Sequence, residues 1–366
     1  MTLTRTPIRA AVLTRAGSGL EIQELRIDEP LPGEVRVRTL AAGLCHSDLH
    51  YIDGTLAIDL PAVLGHEVVG EIVAVGEARA RHRIGERVVI TISPSCGLCS
   101  SCVAGRATQC ERSGKLRQRE RPKLTDASGV PVSLLGSIGG FAEELIVRES
   151  AAIPIDPDIP AREACLIGCC IATGFGAVVH AAGVSPLDAV AVIGCGGVGV
   201  AAIQAARIAG ARVIVAIDVH QAKLDRARSF GASHTLLSTD GLFDELQLIC
   251  PGGVDKSFEA VGSPHTAAQA FEILARNGTA TILGLEKPGS RISVDAELLI
   301  EGDRKIRGAY MGTNQLPRDI PALMSHHRSG ALQLDRMVTS RWHFEEINEG
   351  FDAMKQADSI RAVIEW

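Results

Sequence analysis

The sequence predicts an α/β protein in which a doubly wound parallel sheet is joined to a second, mostly β part carrying a cysteine-rich lobe. Three observations predict it. Beyond about Cys169, short apolar strand-like runs alternate with runs of helical period, the pattern of a parallel sheet covered by helices on both faces. A glycine-rich turn, Gly194-Cys195-Gly196-Gly197-Val198-Gly199, sits where one strand gives way to a helix. The first third instead shows β-branched runs broken by Gly, Pro and Asp, followed by four cysteines within fifteen residues.

Taken in order, Ile8 to Leu13, Glu34 to Ala41 and Glu67 to Val75 read as strands. Arg112 to Val132 is polar throughout and reads as a long surface loop. Ala189 to Ile193 is a short buried strand, and Val200 to Ala209 is a helix. Val213 to Ile217 is a strand and Gln221 to Phe230 a charged helix. Val254 to Glu259 and Thr279 to Leu285 complete the expected sheet. From about Gly312 the character is mixed again, and this tail is expected to pack back on the first third. A chain of 366 residues exceeds one ordinary core. The expected division is residues 1–170 with 312–366 as one domain and 171–311 as the other.

Composition excludes several function classes. With 37 Lys plus Arg against 43 Asp plus Glu, the net charge of −6 offers no basic face for nucleic acid. Aromatics at 3% leave no long stacking platform. Ala189 to Ala206 is apolar enough to resemble a membrane span, but its glycines divide it into strand, turn and helix. Met1 to Gly17 carries Arg5, Arg9 and Arg15 around a short apolar run, so no secretory leader is expected. The chain is therefore expected in the cytoplasm, with neither membrane nor nucleic acid as a partner.

The glycine turn matches G-x-G-x-x-G between a strand and a helix. There Gly194 makes the tight turn, Gly196 lets the backbone approach a pyrophosphate, and Gly199 lets helix and strand pack closely. The helix start, with Gly197 and Val198, presents free N–H groups to phosphate. Asp218 ends the next strand, 19 residues after Gly199, where a carboxylate accepts from ribose hydroxyls and repels a 2′-phosphate. NAD is therefore expected over NADP. Lys223 either lies near the same ribose or is an ordinary solvated helix charge.

Cys96-x-x-Cys99-x-x-Cys102 and Cys110 offer four thiolates on a short loop. In a reducing compartment that spacing points to a closed, structural tetrahedral zinc site. Cys45, His66 and Cys169 are the residue types of a catalytic zinc site with one open position. Their separation in sequence leaves them equally readable as core residues.

At these residues the chain resembles the zinc-dependent alcohol dehydrogenases of the medium-chain dehydrogenase/reductase family, nearly end to end. The resemblance rests on Gly65-His66-Glu67, the four-cysteine lobe, Leu166-Ile167-Gly168-Cys169 before Thr173-Gly174-Phe175-Gly176, and the glycine turn, in the family's order. It implies a GroES-like catalytic domain beside a Rossmann domain, two zinc ions per chain and NAD. It implies Cys45, His66 and Cys169 as catalytic zinc ligands, with Glu67 beside the metal and Asp48 holding the histidine ligand. It further implies Ser47 and His50 as a proton relay from the alcohol, and His46 and Arg361 on the pyrophosphate. The long segment after Cys110 resembles the larger dimeric members, related to the liver and glutathione-dependent enzymes. A homodimer is thus implied, with Glu301 to Tyr310 as its candidate edge.

Departures from better-known members bear on the substrate, a small alcohol or aldehyde. Ile92 replaces a large aromatic and Ser47 a threonine, so with Leu134, Leu135, Leu285 and Tyr310 they predict a roomy apolar channel. Gly114 stands where glutathione-dependent members place a carboxylate-binding arginine, although Arg112 or Arg117 offers a substitute. Cys170 and Cys195 are read as packing residues. Some relatives retain NAD and reoxidise it with a second substrate. The competing readings are a reductase of specialised carbonyls or activated alkenes, a thiol-adduct dehydrogenase, and a redox-responsive or structural protein on the same fold.

Overall fold

The computed structural model describes residues 5–77, 81–356 and 359–366, so residues 1–4 of the segment read for a leader lie outside it. The fold is the predicted one. A six-stranded parallel sheet runs in the spatial order His234–Leu237, Val213–Asp218, Ala189–Ile193, Val254–Glu259, Leu274–Ile282, Lys305–Gly308. Numbered along the chain, that order is the doubly wound 3-2-1-4-5-6, with a crevice where the winding reverses beside the first strand. Ala189–Ile193 is wholly buried, which is why it reads as a continuous apolar run. The apolar stretch that follows turns at the glycines into helix Gly197–Ile208. Among the described residues, no single helix is long and apolar enough to cross a membrane.

The mostly β part contains a five-stranded and a seven-stranded sheet. In the larger one, Glu34–Gly43 pairs antiparallel with Glu67–Val75 on one edge and, at Ala41–Gly43, with Arg361–Glu365 on the other. The tail therefore returns to the first third, as expected. Its helix Leu316–Arg328 packs instead into the core beneath the nucleotide-type sheet, through Leu316, Ile320 and Leu323. That core also takes Ala41, Val69 and Val89 from the β sheet, so one apolar interior joins the two parts.

Arg112 to Val132 runs largely on the surface, as read, but is not structureless. It contains helix Ser113–Arg117 and strand Leu124–Thr125, which pairs with Glu21–Ile27. Some of its charges are tied inward, while Arg112, Lys115 and Glu120 are exposed. Arg119 meets Asp28 at 2.8 Å and Glu34 at 3.0 Å, all three side chains being almost fully buried. The polar composition marks buried ion pairing here, which hydropathy cannot distinguish from solvation.

Candidate active site

Cys45 is the N-cap of the short helix His46–Ile52. The Asp48 carboxylate, in the first turn and fully buried, accepts from the Cys45 N–H at 3.3 Å and from the Gly65 N–H at 2.9 Å. The same group faces His66 Nδ1 at 3.3 Å. With Nδ1 occupied, the ring presents Nε2 to its surroundings. Donor atoms of Cys45, His66, Glu67 and Cys169 then lie within 4.8 Å of one another, all four residues buried. The hydrogen bond from Cys169, aided by His66, holds the Cys45 thiol well below its ordinary range. Two sulfurs, an oriented imidazole and a carboxylate fit a borderline-soft divalent ion such as zinc. Ser47 Oγ lies 3.6 Å from Cys45 Sγ.

A second feature joins this cluster to the glycine turn. Arg361, from the last strand, is buried; its Nη1 donates to Leu44 O at 3.0 Å and its Nη2 to Glu67 Oε1 at 3.0 Å. Its Nε is buried without an acceptor among the described residues. That nitrogen is so near Gly197 that a Cβ there would fall 2.2 Å from it. The glycines behave as their spacing predicts. Gly194 has φ +92°, and a Cβ on Gly199 would lie 1.8 Å from Gly194 O. A Cβ on Gly196 would meet nothing within 4 Å, so the space over it is open to a ligand. Gly196 caps the helix whose first turn contains Gly197 and Val198. Asp218 Oδ2 accepts from the Cys195 N–H at 2.8 Å and Oδ1 from the His220 N–H at 3.0 Å, so this acid also fixes the turn.

In the lobe, the four sulfurs of Cys96, Cys99, Cys102 and Cys110 converge within 4.8 Å. The N–H groups of Leu98 and Cys99 donate to Cys96 Sγ, and that of Cys96 to Cys110 Sγ, at 3.3–3.4 Å. All ten cysteines are free thiols. Backbone donors aimed at sulfur stabilise thiolate, the form that a metal binds.

Comparison with known proteins agrees with this geometry. Residues 31–157 match the alcohol dehydrogenase GroES-like domain, and residues 197–327 the zinc-binding dehydrogenase family. An NDMA-dependent alcohol dehydrogenase of Amycolatopsis methanolica is 32% identical over 363 residues, covering 97% of this chain and 98% of the relative. The chain belongs to the zinc-dependent alcohol dehydrogenases of the medium-chain dehydrogenase/reductase family. Solved structures agree. A zinc-binding-domain alcohol dehydrogenase protein from Burkholderia ambifaria superposes with TM-score 0.93 at 33% identity, covering 99% of both chains. Benzyl alcohol dehydrogenase from Acinetobacter calcoaceticus gives 0.90 at 30%, covering 98% of this chain and 99% of that one.

In this alcohol dehydrogenase the remaining predicted residues are more scattered. His50 is half-buried, and its Nδ1 has no partner among the described residues. His46 is exposed and Lys223 half-buried. Ile92 and Leu134 pack at the margin of the β core, and Leu135 is within it. Leu285 and Tyr310 are 49% and 56% exposed. The expected channel lining is thus split between core and surface. Cys170 and Cys195 are buried in the apolar core that joins the two parts. One residue escaped sequence reasoning. Glu259 is buried at the end of its strand, and its Oε1 accepts from the Val261 N–H, the Gly262 N–H and Thr266 Oγ1 at 2.7–2.8 Å. The signal was available: an acid at a strand end, as at Asp218.

Proposed function

We propose that the protein interconverts medium or bulky apolar alcohols with their aldehydes or ketones, using NAD, with Cys45, His66 and Cys169 holding the catalytic zinc. The observation that carries the reading is the convergence of those side chains with Glu67, bridged by Arg361 to the glycine turn. Zinc at such a site supplies Lewis-acid polarisation of an alcohol or carbonyl oxygen. NAD supplies the hydride acceptor or donor.

The chain's own residues do the rest. Asp48 fixes the His66 ring through Nδ1. Ser47 Oγ, beside Cys45 Sγ, takes the hydroxyl proton, and His50 carries it outward. Gly196 leaves the pyrophosphate room, Arg361 contributes positive charge and His46 a ring nitrogen to it, and Asp218 selects an unphosphorylated ribose. Lys223, on the helix after Asp218, is assigned to the same ribose. Ile92, smaller than an aromatic, enlarges the channel with Leu134, Leu135, Leu285 and Tyr310. The name of the Acinetobacter neighbour, a benzyl alcohol dehydrogenase, supports a bulky substrate.

Cys96, Cys99, Cys102 and Cys110 hold a structural zinc that leaves no open position. The strand Lys305–Gly308 is an unpaired sheet edge with Ile300 exposed nearby, which supports a homodimer through Glu301 to Tyr310. Its site of action is the cytoplasm.

The test is absorbance of NADH across short, long, aromatic and secondary alcohols, with NADP for comparison and NDMA as an alternative acceptor. Turnover with NAD, abolished by a zinc chelator, is expected. Turnover only when NDMA is added would replace free NAD exchange with a retained cofactor. A sharp optimum at ethanol would overturn the roomy channel.

A further inference from the structure

A cleft of about 320 Å³ opens along the polar segment that follows the cysteine lobe. Arg117, Arg119, Arg121, Lys123, Leu134 and Ser137 line it. Glu120 is the one carboxylate in its lining, and it is exposed. Asp28 and Glu34 lie behind the wall, already engaged by Arg119. Arg119 is thereby scaffolding, since its Nη2 also donates to Glu29 O.

The other cations keep donors to spare. Arg117 Nη2 donates to Ile92 O at 2.5 Å, while its Nε is buried with no acceptor among the described residues. Arg121 uses Nε toward Asp28 at 2.6 Å, and its two Nη groups have no partner among the described residues. Lys123 is nine-tenths buried, and its ammonium donates to Ser137 O at 2.6 Å and Ser137 Oγ at 2.8 Å. An ammonium has three N–H groups, so one remains. The Arg117 Nε and the third Lys123 N–H are costly to leave unmatched in a buried wall, whereas Arg121, 28% exposed, offers its Nη groups more openly. Water would satisfy their geometry but not their charge. A planar or tetrahedral oxyanion satisfies both, because its oxygens accept from guanidinium and ammonium together.

We propose that this cleft is an anion subsite that takes a carboxylate or phosphate group, carried on the substrate's tail or arriving as a free anion. Leu134, one wall of the cleft, and Ile92, whose carbonyl Arg117 holds, are also the residues assigned to the alcohol channel. The substrate alternative therefore rests on the alcohol dehydrogenase reading, whereas anion binding itself does not.

Two measurements test it on the full-length, zinc-loaded protein. Calorimetry with inorganic phosphate and with succinate, against chloride at equal ionic strength, should show saturable binding for the two oxyanions alone. Arg117→Gln and Arg121→Gln should each weaken it about tenfold or more, and Arg121→Lys should restore part of it. Circular dichroism checks that each variant is folded. No binding above the chloride control, or binding unchanged in both glutamine variants, overturns the proposal. Next, an ω-hydroxycarboxylate is compared with the uncharged alcohol of equal length. A kcat/KM preference for the acid that disappears in Arg121→Gln assigns the subsite to the substrate tail. Equal kcat/KM alongside retained phosphate binding assigns it to a free anion. Inactivity toward every alcohol, with anion binding intact, would defeat the dehydrogenase reading and leave the subsite standing.

Discussion

Arg361 Nη2 donates to Glu67 Oε1 at 3.0 Å, joining two buried side chains 294 residues apart in sequence. Both side chains are almost wholly buried, so each compensates the other. Removing one leaves an uncompensated buried charge, which typically costs about 3–5 kcal/mol. Arg361→Gln should lower the unfolding free energy in urea by about that amount. The double variant Arg361→Gln with Glu67→Gln should recover part of the loss. Equal losses in the single and double variants would show that the pair does not interact.

The glycine turn offers a contrast between two substitutions of the same kind. Ala at Gly199 would press a methyl group against Gly194 O, whereas Ala at Gly196 meets no protein atom. Gly199→Ala should therefore destabilise the fold. Gly196→Ala should melt like the wild type yet bind NAD about tenfold or more weakly, since its methyl occupies the space left for pyrophosphate. Thermal melts and fluorescence titration with NADH separate the two effects.

Lys123 predicts a pH dependence. Burial pulls its ammonium from 10.5 down to about 8. Between those values the unfolded chain binds more protons than the folded one, so stability rises with pH across that window. Below about 8 the folded state carries the whole penalty, of order 3 kcal/mol. Subtracting the Lys123→Met profile from that of the wild type, in urea melts from pH 7 to 10.5, should show a rising difference. A flat difference would mean that Lys123 is not desolvated.

The four lobe sulfurs predict a metal count. Metal analysis of the wild type should give two zinc ions per chain, and Cys102→Ser should retain one. Its melting temperature should fall, because the lobe docks through Gly105 O against the Gln315 side chain. Activity per remaining folded molecule should persist. Loss of both metals together would show the two sites to be coupled.

Much of this was legible in the sequence wherever one local pattern fixes one conformation. Ala189–Ile193 and Gln221–Phe230 fall where periodicity places them, because a buried strand and an amphipathic helix leave opposite signatures. Two short strands, His234–Leu237 and Lys305–Gly308, escaped because four residues carry too little period to detect. The convergence of Cys45, His66 and Cys169 has no local signature, since three separate elements build it; resemblance alone brought them together. The ion pairs of Arg119 were invisible for another reason. A buried, paired charge and a solvated one are the same letter in a sequence.

The union of Glu34–Gly43 with Arg361–Glu365 places a schedule on biosynthesis. Glu67 leaves the ribosome 294 residues ahead of Arg361, roughly 15 to 60 s at ordinary translation rates. Throughout that interval the first β sheet has an open flank, and its buried acid has no guanidinium. The intervening residues must meanwhile wind an entire parallel sheet. The nascent amino-terminal part is thus a natural client for chaperones, held unfinished until the chain comes back to it.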